Sequence, residues 1–255
     1  MCGLTWRGIW AKIERLDRDV QAVLEVLEAR GLADKTLVVF LGDNGMAFPH
    51  GKGTLYDPGI HVPLLVRWPG VLKPGSVTAE LISGEDLAPT LLEAAGLTPP
   101  KQMTGVSFLA LLRGQPFTGR KYIFAERGPH GRDGGMRPDV SAATFDLGRC
   151  VRSARFKLIY NCTPYQPVAP VDSQRDPGWQ EILAAHKAGR LAPEFERAYF
   201  TLPRPTYELY DLETDPGELR NLAGDPHYQQ IEHELKEALT EKMVLDWVFL
   251  PTPLR

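Results

Sequence analysis

The sequence predicts an α/β fold: a mostly parallel sheet flanked by helices, followed by a smaller antiparallel sheet with a helix. Residues 9–30 form an amphipathic pattern, and "TLVVFLG" follows after a short loop. A continuous apolar run rich in β-branched residues is typical of a strand buried on both faces of a parallel sheet. From about residue 115 the pattern changes to shorter strands that favour an antiparallel sheet.

The first part of the chain alternates helices with strands. In the first helix the apolar residues recur every three or four positions with charges between them, and "ARGLADKT" ends it. A second strand is predicted at residues 61–69. Residues 84–96 and 106–114 are predicted to be helices, the first of them ending at Gly96.

The second part begins with three strand patterns, "KYIFAER", "RCVRSARFKLIYN" and "TYELYDLETDP". Residues 226–247 return to helical spacing. The Pro-rich stretch 163–206 is longer than a plain loop of a compact domain, so "GWQEILAAHKAGRL" within it is predicted to be a helix. We therefore divide the chain into an α/β domain, residues 1–115, and a C-terminal subdomain, residues 116–255.

Composition excludes several classes of function. The chain is 43% hydrophobic and 24% charged with a net charge of −3, and it has no block of Lys and Arg, which argues against a nucleic-acid partner. No apolar run approaches the roughly 20 residues that cross a bilayer. "MCGLTWRGIW" lacks the basic start and apolar block of a signal peptide.

The cysteines Cys2, Cys150 and Cys162 form no C-x-x-C pair, which argues against a zinc site. We expect Cys150 and Cys162 to be buried thiols, and one bridge between them remains the alternative. Asn161 begins a glycosylation triplet, "NCT", of a kind that also occurs by chance.

The most informative stretch is "TLVVFLGDNGMAFPHGKGTLYDPGIHVPLLVRWPG", residues 36–70. Sites in open parallel sheets lie beyond the carboxyl ends of strands, where Asp43 and Asn44 stand. Their oxygens suit a hard cation such as Ca²⁺ or Mg²⁺, and Lys52 suits an anionic group. The same Asp-Asn-Gly is also a common turn that binds nothing.

This stretch resembles the second signature region of the type I sulfatases, in which a strand ends in Asp-Asn-Gly and a Lys, a Tyr with an acidic residue and Val-Pro-Leu follow. Four further segments resemble the family in the same order: "IERLDRDVQAVLEVLEARGLADKT", "ISGEDLAPTLLEAAGL", "CVRSARFKLIYN" and "YELYDLETDPGELRNLAGDP". The resemblance implies a partial alkaline-phosphatase-like sandwich. Phe48-Pro49 and the short spacing to Lys52 are similar to the heparan N-sulfatase (sulfamidase) group.

By resemblance, Asp43 and Asn44 are two ligands of an active-site Ca²⁺, and Lys52 contacts the sulfate oxygens. His50 and His130 are candidates for substrate contacts, although an exposed loop histidine is an equally open interpretation of His50. His61 stands where many members of the family have Arg, so it receives no catalytic role.

The family makes its formylglycine nucleophile from a Cys/Ser-x-Pro/Ala-x-Arg motif, and this sequence contains none. The chain therefore resembles the C-terminal half of a sulfatase, with formylglycine expected in the other half. Two ligands cannot hold Ca²⁺ tightly, since the ion takes roughly six to eight oxygens. We expect no sulfatase turnover by this chain alone and an exposed sheet edge that favours aggregation.

The implied partner is a sulfated carbohydrate or a small sulfate ester. Two alternatives remain: a phosphonate or phosphate monoester hydrolase of the same superfamily, and a non-catalytic remnant. The compartment is unknown. It would be periplasmic, secreted or lysosome-like if the complete protein has a signal peptide.

Overall fold

The computed structural model describes residues 2–128, 146–171 and 173–246. In these ranges the elements are α1 (Cys2–Ala29), β1 (Val38–Leu41), α2 (Asp57–Ile60), β2 (Leu64–Arg67), α3 (Leu87–Ala94), α4 (Leu109–Leu112), β3 (Ile123–Arg127), β4 (Gly148–Arg152), β5 (Phe156–Asn161), α5 (Pro177–Lys187), α6 (Pro193–Phe200), β6 (Tyr207–Asp211) and α7 (Gln229–Leu245). Every helix and strand predicted from the sequence is present, and the mixed α/β class is confirmed.

The direction of β1 differs from the prediction. β1 and β2 form a two-stranded antiparallel sheet in which Val39 lies opposite Val66. Leu41 and Leu65 are exposed, so β1 is not buried on both faces among the described residues. A continuous apolar run indicates that a strand can be buried on both faces. It does not indicate whether the neighbouring strand runs parallel or antiparallel to it.

The C-terminal sheet is confirmed as antiparallel, with the strand order β3-β4-β5-β6. Cross-strand partners lie on the same face of a sheet, and successive residues alternate between the faces. Leu158 lies opposite Val151 and Leu209, and these three side chains share one face. Ile159 lies opposite Cys150 and therefore belongs to the other face.

The first face is covered by α7. Leu235 and Leu239 of this helix are buried in one cluster with Val151, Leu158 and Leu209. All five side chains are less than 5% exposed, which makes this the main core around the sheet. The opposite face carries Cys150, Ile159 and Tyr210, and it receives Leu55 from the loop after β1.

The chain forms two compact units. The first contains α1, the two-stranded sheet, α3 and α4; the second contains residues 43–62, residues 80–83 and the chain from Arg120 onward. The loop after β1 thus belongs to the same unit as the C-terminal sheet. The predicted boundary near residue 115 placed residues 43–62 in the first domain instead. The assignment of catalytic and C-terminal domains stays a prediction.

Two further predictions concern the described residues. Cys150 and Cys162 are free, buried thiols, and burial raises the pKa of each to about 11. The structure therefore favours the inert thiols over the bridge. None of the described helices combines the length and the apolar character needed to cross a membrane.

Candidate active site

Asp43 and Asn44 lie directly after β1, as the sequence predicts. Asp43 is exposed and Asn44 is half-buried. The N–H of Gly45 donates to the carbonyl of Gly59 at 3.0 Å, and a Cβ at Gly45 would lie 1.9 Å from the carbonyl oxygen of Pro58. Only glycine fits this close approach of two backbone segments. The contact fixes the backbone from which the two oxygen-bearing side chains project.

The loop then folds back, so that Lys52 lies near the start of the loop. The N–H of Lys52 donates to the carbonyl of Met46 at 2.7 Å, and that of Gly51 donates to Phe48 at 3.0 Å. A Cβ on the buried Gly51 would lie 2.3 Å from the Met46 carbonyl oxygen, so the turn closes without room for a side chain. Lys52, itself half-buried, is thereby bonded through its backbone to a residue two positions after Asn44.

His50 lies in the same loop with a specific set of contacts. Its Nε2 lies 3.0 Å from the Gly217 carbonyl oxygen and therefore donates, which leaves Nδ1 without the proton in the neutral ring. The ring stacks on Tyr56 at 3.8 Å and meets Tyr199 edge-on at 5.9 Å. Burial lowers the pKa of His50 to about 4, and the Lys157 ammonium acts in the same direction. A neutral ring held in this way has a structural role; a substrate contact through it stays a prediction.

The loop lies against the face of the C-terminal sheet that α7 leaves open. Leu55 is buried against Cys150, Ile159 and Tyr210, with Tyr56 packed beside them. A Cβ on Gly148 would lie 3.0 Å from the Leu55 side chain, so β4 and the loop approach each other closely at this position. The sheet thus forms the support of the loop that presents the candidate residues.

A buried carboxylate, Glu208, organises the polar contacts of this face. It accepts hydrogen bonds from the Tyr56 hydroxyl at 2.9 Å, the Tyr210 hydroxyl at 2.5 Å and the Asn161 amide at 2.5 Å. Burial raises the pKa of both tyrosines well above 10, so both hydroxyls stay protonated as donors. Sequence reasoning did not find this network, although a Glu between apolar residues in "TYELYD" was an available signal.

The glycosylation triplet falls in the same network. Asn161 is 5% exposed, and its amide donates to Pro205 at 2.8 Å as well as to Glu208. An asparagine held in this way cannot present its amide to a modifying enzyme in the folded chain.

The remaining histidines of the prediction have separate outcomes. His130 lies outside the described residues. His61 is largely exposed, with Nδ1 3.8 Å from the Asp57 carboxylate, and it keeps no catalytic role.

The metal prediction can be compared with the donors that are present. Within the described ranges, no group of three or more His, Cys, Asp and Glu side chains is placed to hold a metal ion. Asp43 and Asn44 offer oxygen donors of the kind Ca²⁺ prefers, and the Gly45 contact fixes their backbone. The two residues therefore fit Ca²⁺ in the kind of donor atom, and their role as ligands stays a prediction.

Comparison with solved structures identifies the fold. A structure solved with its substrate D-glucosamine-2-N,6-O-disulfate aligns with a TM-score of 0.65 at 23% identity, covering 91% of this chain and 38% of that chain. A phosphonate monoester hydrolase from Silicibacter pomeroyi aligns with a TM-score of 0.62 at 25% identity, covering 89% of this chain and 38% of that chain. The alkaline-phosphatase-like fold is thereby confirmed.

Sequence comparison identifies the family within this fold. The Sulfatase family model matches residues 7–97, and the model described as N-sulphoglucosamine sulphohydrolase, C-terminal, matches residues 185–244. An ulvan-active sulfatase from Formosa agariphila is 36% identical over 92% of this chain and 38% of its own length. Human N-sulphoglucosamine sulphohydrolase is 30% identical over 91% of this chain and 46% of its own length. The chain belongs to the type I sulfatase family.

Sulfatases are hydrolases of sulfuric ester and S–N bonds, and the family generally uses Ca²⁺ and formylglycine. The chain spans less than half the length of these two curated relatives. The match to the N-sulphoglucosamine sulphohydrolase C-terminal model agrees with the branch that Phe48-Pro49 predicted.

Proposed function

We propose that this chain is the C-terminal half of a sulfatase that hydrolyses sulfate esters or N-sulfo groups of sulfated sugars. The observation that supports it best is the loop 43–62. Its backbone contacts hold Asp43, Asn44 and Lys52 in one folded segment, and the sheet face beneath supports it. A common turn would need neither the buried glycines nor this support.

In this proposal the chain contributes ligands and charge. Asp43 and Asn44 supply two oxygens to Ca²⁺, and residues beyond this chain supply the others, since the ion takes roughly six to eight. When bound, the ion polarises the sulfuryl oxygens. The Lys52 ammonium binds the sulfate group and stabilises the negative charge that develops on it. His130 is proposed as a further substrate contact.

The nucleophile is proposed to come from outside this chain. None of the Cys and Ser residues begins a Cys/Ser-x-Pro/Ala-x-Arg motif. We therefore expect that the purified chain releases no sulfate in multiple turnovers. Multiple turnovers that Lys52→Ala abolishes would refute this part of the proposal.

The direct test is a chimera. The N-terminal part of the Formosa agariphila relative would be joined to this chain in place of the matching region, and sulfate release from sulfated oligosaccharides would be measured. We expect activity that falls at least about 100-fold in Lys52→Ala. Lys187→Ala, which removes an exposed lysine in α5, is the matched control and should retain activity.

The metal roles are tested in the same chimera. Asp43→Ala and Asn44→Ala should raise the Ca²⁺ concentration needed for half-maximal activity. An active chimera that is indifferent to Lys52, Asp43 and Asn44 would contradict the assigned roles. A folded but inactive chimera would favour the non-catalytic remnant.

The likeness to a phosphonate monoester hydrolase supports a second candidate, hydrolysis of phosphonate or phosphate monoesters. The same chimera should be assayed on matched sulfate and phosphonate esters of one alcohol. Faster turnover of the phosphonate ester would favour the second candidate.

A further inference from the structure

A buried ion cluster joins the loop 43–62 to the C-terminal sheet. Lys157 of β5 and Glu218 are both 0% exposed, and the Lys157 Nζ lies 2.8 Å from Glu218 Oε1 and 2.5 Å from Asp57 Oδ1. Arg152 of β4 holds the same Asp57 carboxylate with Nε at 3.2 Å and Nη2 at 3.1 Å. The backbone N–H of Asp57 donates to Glu218 Oε2 at 2.5 Å.

The four side chains balance one another in charge. Two carboxylates face two cations, so the cluster is neutral when all four are ionised. Burial alone would raise the pKa of Asp57, but the hydrogen bonds from Arg152 and the charge of the Lys157 ammonium outweigh it and lower that pKa. Burial raises the pKa of Glu218, and the Lys157 ammonium opposes this. Removing one member would leave an uncompensated buried charge, which is strongly destabilising.

The register explains why the cluster lies under the loop. Lys157 lies opposite both Arg152 and Tyr210, so its side chain leaves the sheet on the loop face. Glu218 has a φ of +53°, a left-handed conformation that is uncommon for a residue with a side chain. A strained backbone here is offset by the hydrogen bond and the ion pair that its carboxylate makes.

We propose that Lys157 is a positioning residue of the candidate active site, acting through Asp57 to hold the loop that presents Asp43, Asn44 and Lys52. The inference rests on the proposed function for the meaning of those three residues. Asp57 follows Lys52 by five positions and begins α2, whose residue Gly59 accepts the N–H of Gly45. Lys157 of the sheet thus contacts Asp57 of α2, and Gly59 of α2 bonds to Gly45 of the Asp-Asn-Gly turn.

The test is peptide-resolved hydrogen exchange of the 255-residue chain. Lys157→Met shortens the side chain by one atom and removes its charge. We expect amides of residues 43–62 to exchange at least about tenfold faster, while those of α7 keep their rate. The double variant Lys157→Met/Glu218→Gln removes one charge of each sign but does not restore the contact to Asp57. Its loop should therefore exchange more slowly than in Lys157→Met and still faster than in the parent.

Arg155→Met is the matched control. Arg155 precedes β5 and pairs with Asp211 and Glu213, which both lie outside the loop. Because Asp211 is buried, Arg155→Met tests for a general loss of stability and should accelerate the exchange of residues 43–62 no more than that of α7. An unchanged loop in Lys157→Met would overturn the proposal. So would equal acceleration in the loop and α7, because it would mark a general loss of stability.

If Lys157→Met does not fold, Glu218→Gln alone provides the test. It keeps the shape of the side chain and weakens the contacts of residue 218 with Lys157 and with the Asp57 N–H. Amide exchange should therefore accelerate more in the loop than in α7, each compared with the parent. An unchanged loop would again overturn the proposal. Exchange needs no substrate, so an anchored loop together with an inactive chimera would refute the proposed function alone.

Discussion

His50 illustrates how a single side chain in the loop responds to its surroundings. Its ordinary pKa of 6.5 falls to about 4 in the folded chain, mainly because burial disfavours the imidazolium. Between these values the unfolded chain binds a proton that the folded chain does not. His50 therefore stabilises the fold fully above about pH 6.5, and this contribution is lost as the pH falls towards 4.

We predict that the His50 ring stays neutral down to about pH 5. The measurement is an NMR titration of its Cε1–H resonance, which should shift with a midpoint near 4. His50→Phe keeps an aromatic ring against Tyr56 but removes the titrating group. Near pH 5, unfolding of this variant should take up as much as one proton less than unfolding of the parent chain. A resonance that titrates between pH 6 and 7 would show that the ring is hydrated.

Asn161 gives a second prediction at this scale. Asn161→Ala removes the amide that donates to Pro205 and Glu208, leaving buried acceptors without that donor. We expect the free energy of unfolding to fall by about 1–3 kcal/mol. Urea unfolding measures it, and Gln174→Ala, which keeps the Gln174 carbonyl that accepts from Gln180, is the control expected to change little. A loss below about 0.5 kcal/mol would mean that water replaces the amide.

The sequence predicted the residues that a pattern exposes and missed those that depend on distant contacts. Asp43, Asn44 and Lys52 stand out because they follow an apolar run. Asp57 and Lys157 are 100 positions apart, so no local pattern joins them. Lys157, the second residue of "FKLIYN", is unusual in a buried strand, but the sequence did not identify its partner.

Among the elements, α7 shows how the C-terminal sheet is stabilised. Leu235 is 0% exposed at the centre of its cluster, whereas Val244 on the same helix is 70% exposed. We predict that Leu235→Ala lowers the free energy of unfolding by about 2–5 kcal/mol, because it removes contacts and leaves a cavity. Val244→Ala should change it by less than about 0.5 kcal/mol. If urea unfolding gave the same loss of free energy for Leu235→Ala and Val244→Ala, the placement of α7 would be wrong.

The elements were predictable because periodicity is local. The spacing of apolar residues indicated α1 and α7, Gly96 marked the end of the helix that contains α3, and short segments such as "RCVRSARFKLIYN" indicated the strands. The direction of β1 was not predictable, since it depends on the course of the chain through residues 42–63. The association of that segment with the C-terminal sheet also had no local signal.

At the scale of the whole molecule, α1 leaves an apolar stripe exposed. Ile13, Leu16 and Val23 are about half or more exposed and lie on one side of the helix. Exposed apolar stripes favour association, so we predict that the chain self-associates as its concentration rises.

Sedimentation velocity measures this association. Leu16→Glu should weaken it, since a charge in the stripe resists burial. Ala11→Glu adds the same charge on the opposite side of α1 and should leave association unchanged. Equal effects of the two variants would attribute association to net charge instead of the stripe.

The sequence distance within the ion cluster has a consequence for biosynthesis. The hydrogen bond from Asp57 to Glu218 joins residues 161 positions apart. A ribosome translating this chain makes the Asp-Asn-Gly turn early and the strands that support it late. The loop therefore lacks its full set of contacts until synthesis has passed Glu218. A ribosome that stops before β6 would release a chain in which the loop lacks its hydrogen bonds to Glu208 and Glu218.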